Sequence, residues 1–69
     1  MTKLNEIKIG DLALDHMTPP TIWLIMGKMK MGTKGLIVTA LNNFHIFKKN
    51  KQYGIYTNKE VDKLTILSQ

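Results

Sequence analysis

The chain contains no cysteine, which excludes disulfides and thiolate metal sites. It contains no arginine either; all ten basic residues are lysine. Lysine is a hydrated point charge, whereas arginine supplies the planar fork that reads guanine or phosphate bidentately. A basic surface of this kind favours attraction to a nucleic-acid backbone over base-specific reading. The plainer explanation of the lysine bias is an AT-rich coding sequence. Serine occurs once, at Ser68 in the tail. There is no glycine-rich phosphate loop, and no nucleophile comes with a recognisable base, so an enzyme is not expected. The longest apolar run, "IWLIM", is far too short to span a bilayer. The opening "MTKLNEIKIG" lacks the apolar segment of a secretory leader. The expectation is a soluble chain with no cleaved signal and no membrane partner.

What is present is a single small domain of 69 residues with net charge +5. A chain this short buries only about 60% of the surface its unfolded form exposes, so its core is thin. Without disulfides, good packing or self-association must stabilise it. The 43% hydrophobic content is ordinary for a folded domain. Glycine, proline and asparagine recur at short intervals, the punctuation of an all-β chain of short strands.

"EIKIGDLAL" predicts a strand over about residues 6–14 that bends near Gly10, with Ile7, Ile9 and Asp11 on one face. "DHMTPP" is a loop, because Pro19 and Pro20 cannot donate to a ladder. "TIWLIMGKMKM" predicts a long strand with Trp23, Ile25, Gly27, Met29 and Met31 on one face. Its first half is apolar on both faces. Gly27 is a natural bend, and "MGTKG" supplies a turn. "LIVTAL" is a central strand with Leu36, Val38 and Ala40 on one face, and Asn42–Asn43 reads as a tight turn. "FHIFKK" and "QYGIYT" predict a hairpin around Asn50–Lys51. Thr57 followed by Glu60 matches a capping box, so "NKEVDK" predicts one helical turn with Val61 and Leu64 facing inward. "LTIL" is the last strand. Pairing the first strand with the last would close a small barrel and remove exposed edges.

This layout resembles the Src-homology-3-like small barrels. The resemblance rests on "KIGDLAL" as the opening strand, "NKEVDK" as a single turn near the end, and "LTIL" as the closing strand. It covers about residues 5–67 and implies five to six strands in one domain, 1–69. The layout is similar to small barrels encoded by tailed bacteriophages, and secondarily to KOW-type modules. A phage-encoded chain would reside in the host cytoplasm or the virion. The acidic, aromatic-rich groove of the peptide-binding members is not evident here, and the fold hosts many unrelated functions.

Two sets of residues are candidates for binding. An apolar, methionine-rich stretch on a thin core suggests a face buried by a protein partner or by self-association, with Trp23, Met29, Met31 and Tyr56 as contacts. These residues would otherwise be core. The alternative is nucleic acid. Lys28, Lys30 and Lys34 flank one turn, and Lys48, Lys49 and Lys51 flank another, with Tyr53 nearby. Lysines with adjacent rings suit single-strand binding. They equally suit solvated turn tips that discourage edge pairing. Met17, Met26, Met29 and Met31 are flexible filler before they are copper ligands. His16 and His45, with Asp11 or Asp15, match no ligand spacing, so neither a metal nor a cofactor is expected.

Overall fold

A computed structural model describes residues 6–29, 35–56 and 58–67. Among the described residues, five strands form one antiparallel sheet: β1 (Leu12–Asp15), β2 (Thr21–Met29), β3 (Gly35–Ala40), β4 (Tyr53–Ile55) and β5 (Leu64–Ile66). A short helix, α1 (Asn58–Asp62), precedes β5. The protein is all-β with a single helical turn before its last strand, as the punctuation predicts.

The strand order is β4-β3-β2-β1-β5. The first strand pairs with the last: Ala13 lies opposite Ile66 and Asp15 opposite Leu64. The Leu67 N–H continues that ladder to the Leu12 carbonyl at 2.8 Å. This pairing adds β5 beside β1, so β4 and β5 are the two edges of the sheet.

Side-chain alternation divides the sheet into two faces. Ala13, Trp23, Ile25, Leu36, Val38, Ala40 and Ile55 point to one side and are buried there. Ile7 from the entry segment, Val61 from α1 and Leu64 from β5 complete that core. Val61 and Leu64 both face inward, as their i, i+3 spacing predicts. The Tyr56 N–H donates to Glu60 Oε2 at 2.9 Å, which anchors the helical turn to the end of β4. Thr57, the other half of the expected capping box, lies outside the described residues.

Three expectations are corrected. Residues 6–10 are not strand. The Asp11 N–H donates to the Lys8 carbonyl at 3.0 Å, and the Lys8 N–H donates to Asp11 Oδ2 at 2.8 Å. That closes a turn in which Gly10 has φ 95°, a conformation that strains any residue with a Cβ. Ile7 is therefore core while Ile9 is exposed, so the two do not share a face. The pairing resumes at once: the Gly10 N–H donates to the Ile25 carbonyl, and the Ile25 N–H to that of Asp11.

The second correction concerns β2. Ile25 pairs with Val38, but the next pair is Gly27 with Ile37, so Met26 is an extra residue in the strand. A bulge of this kind exchanges the faces beyond it. Trp23 and Ile25 point to the core, whereas Gly27 and Met29 share the side of Ile37. The bend predicted at Gly27 is real, but it reverses the assignment of Met29.

The third concerns the expected hairpin. Only Tyr53–Ile55 is strand, and it pairs with β3. Residues 44–47 form a turn instead, because the N–H groups of Ile46 and Phe47 both donate to the Asn43 carbonyl, at 2.9 and 3.0 Å.

Candidate interaction surface

Trp23 is only 4% exposed. Its ring meets Phe47 edge-on at 4.8 Å and Tyr53 at 5.8 Å, and Phe47 and Tyr53 are 5.4 Å apart. Its indole N–H donates to Asp15 Oδ2. Trp23 is thus the centre of an aromatic core cluster and offers no face to a partner. The reason is its parity: it precedes the bulge, so it stays on the core side.

Met29 and Tyr56 lie elsewhere. Met29 is half-buried opposite Gly35, on the side of the sheet away from the core. The Tyr56 ring is exposed and folds back over Gly35 and Gly54, the two glycines that flank Ile37 on this side. Together they extend a face formed by Leu14, Ile22, Leu24 and Ile37, all only half-buried. Leu14 lies opposite Ile22, and Leu24 opposite Thr39. The face is apolar because β1, β2 and β3 all carry aliphatic residues at both parities. Thr39 sits among them with its hydroxyl buried and without a hydrogen-bond partner among the described residues. His16 Nε2 and Thr65 Oγ1, 2.6 Å apart, form its polar rim. Met31 lies outside the described residues.

The lysines of the alternative set are divided. Lys30 and Lys34 lie outside the described residues, and Lys28 is half-buried opposite Leu36. Lys48, Lys49 and Lys51 are exposed in the β3–β4 loop. Tyr53 is already engaged. Its hydroxyl accepts from the Lys48 N–H at 2.8 Å, its ring packs on Phe47, and Lys51 Nζ lies 5.5 Å from the ring centroid. It organises the loop and presents no free face for stacking. The exposed rings in this loop are Phe44 and His45, which pattern reading in the sequence placed in a strand.

The start of the loop is fixed by asparagine. Asn42 Oδ1 accepts from the Ile22 N–H at 2.8 Å. Asn43 Nδ2 donates to the Pro20 carbonyl at 2.9 Å and to Thr21 Oγ1 at 3.0 Å. Asn43 has φ 55°, the left-handed conformation that its residue type tolerates. The tight turn predicted at Asn42–Asn43 is therefore also a latch onto the Pro19–Pro20 loop.

Among the described residues, no three His, Asp or Glu side chains gather as a metal site, and no helix is long and apolar enough to cross a membrane. No protein-family model matches the chain, and no curated protein or solved structure matches it.

Proposed function

We propose that this chain is a non-catalytic small barrel of the Src-homology-3-like kind, phage- or mobile-element-encoded, that acts by protein–protein contact as a structural or accessory component, or a regulator, of a larger assembly. The observation that carries this reading is the apolar outer face of the sheet. Soluble monomers rarely leave so continuous an aliphatic surface uncovered. The strand order and the helical turn before β5 support the fold resemblance. So does the pairing of the first and last strands.

The partner this face fits first is a second copy of the chain. A two-fold contact brings like against like, and a chain of net charge +5 resists self-association wherever lysines meet. Leu14, Ile22, Leu24 and Ile37 present no charge, so two such faces meet without that cost.

Light scattering coupled to size exclusion tests this at about 0.1 and 1 M salt, which separates apolar from ionic association. The expected result is an oligomer that persists at high salt and is lost in Ile22→Gln/Leu24→Gln. A monomer at every concentration and both salts overturns the reading.

A further inference from the structure

We propose that the β3–β4 loop is a binding site for single-stranded nucleic acid, in which Lys48, Lys49 and Lys51 hold the backbone and Phe44 and His45 stack on bases. The site is separate from the apolar sheet face and stands independently of the function proposed for it.

The loop is built rather than slack. Its first half is the turn closed on the Asn43 carbonyl, itself latched to Pro20. Phe47 turns inward against Trp23 and Tyr53. Phe44 and Ile46 remain outside, 47% and 49% exposed. Its second half is pinned where the Lys48 N–H meets the Tyr53 hydroxyl. The Lys51 N–H donates back to the Lys48 carbonyl at 3.4 Å, through Asn50 at φ 63°. Three exposed lysines thus fall within four residues of an ordered backbone, in the same loop as two exposed rings.

Charge singles out this stretch of the chain. From His16 through Lys59 the chain has seven lysines and no carboxylate side chain. All five acidic residues fall in the entry segment, β1 and α1. Glu60 lies at the end of β4, where its Oε2 accepts from the Tyr56 N–H, and Asp15 accepts from the Trp23 indole, so both carboxylates are already engaged outside the loop. Among the described residues, none of the three loop lysines pairs with a carboxylate. The loop itself, residues 41–52, contributes no carboxylate side chain that would compete with a polyanion. Lysine without arginine gives backbone attraction with little base reading. Exposed rings are satisfied by unstacked bases, which a duplex does not offer.

Fluorescence anisotropy with a labelled oligothymidine of about twelve nucleotides, a length within reach of one small barrel, tests the site. The same-length duplex, and vesicles containing anionic phospholipid, are the comparison ligands. Three neutralised phosphates predict about an eighteenfold loss of affinity between about 50 and 200 mM salt. Phe44→Ala weakens single-strand binding about tenfold while leaving duplex binding unchanged. Lys48→Glu/Lys49→Glu weakens it by more than about tenfold. That variant spares Lys51 and its contact with Tyr53, and Trp23 fluorescence confirms its fold. Lys63→Glu, a charge reversal outside the loop, weakens binding less than about threefold. The proposal is overturned by absence of binding at low salt, by equal affinity for the duplex, by indifference to Phe44→Ala, or by tighter binding to the vesicles than to the oligonucleotide.

Discussion

The Trp23 indole N–H donates to Asp15 Oδ2 at 3.2 Å, from the second strand to the first. Ala13, two residues before Asp15, lies directly opposite Trp23 in the ladder. The bond therefore reaches diagonally along the core face and ties the only tryptophan to the strand that receives β5. Asp15→Ala leaves a buried indole donor unpaired and should cost about 1–3 kcal/mol. Asp15→Asn keeps an acceptor and should cost less. Urea denaturation followed by Trp23 fluorescence checks both; equal midpoints for wild type and Asp15→Ala would show that the bond contributes nothing.

Trp23→Ala should unfold the domain. Truncating a buried tryptophan costs about 3–5 kcal/mol, and a chain of this length has a total stability of about 3–10 kcal/mol. Tyr56→Ala removes an exposed ring and should leave a folded protein. Circular dichroism melts distinguish the two. A folded Trp23→Ala variant that merely failed to associate would restore Trp23 as a partner contact.

Gly35 and Gly54 both lie beneath the Tyr56 ring, but they should respond differently to alanine. At Gly54 an added methyl overlaps only the far end of the ring, which can swing toward solvent. At Gly35 it would also lie 2.9 Å from the Ile55 carbonyl oxygen, which belongs to the β3–β4 ladder and cannot move independently. Gly35→Ala should therefore lower the melting temperature more than Gly54→Ala. The reverse order would place the strain in the ring rather than the backbone.

Asn43→Gly and Asn43→Ala both remove the bonds to Pro20 and Thr21. Only alanine also has to hold a left-handed backbone, at about 1 kcal/mol or more. Alanine should be the more destabilising by about that amount in denaturant melts. Equal losses would mean that the turn relaxes to another conformation.

The strand segments were largely legible because their pattern is local. "LIVTAL" alternates cleanly and its parity held. The helical turn was legible because Val61 and Leu64 are spaced for one face. The loop at residues 44–47 was not. "FHIF" alternates like a strand, but the Asn43 carbonyl collects two N–H groups and winds it into a turn. Phe44 and His45 are exposed within that turn. The acid-free run from His16 to Lys59 is the sequence signal that marks the basic loop.

Composition and punctuation alone determined an all-β chain with a lysine-only basic surface, no disulfide, and a last strand returning to the first. Only the tertiary structure decided which side of the sheet each residue of β2 occupies. Alternation assigns faces relative to a register, and the register depends on the neighbouring strand. One extra residue at Met26 therefore separates Trp23, which is core, from Met29, which joins Ile37 and Tyr56 on the outer face.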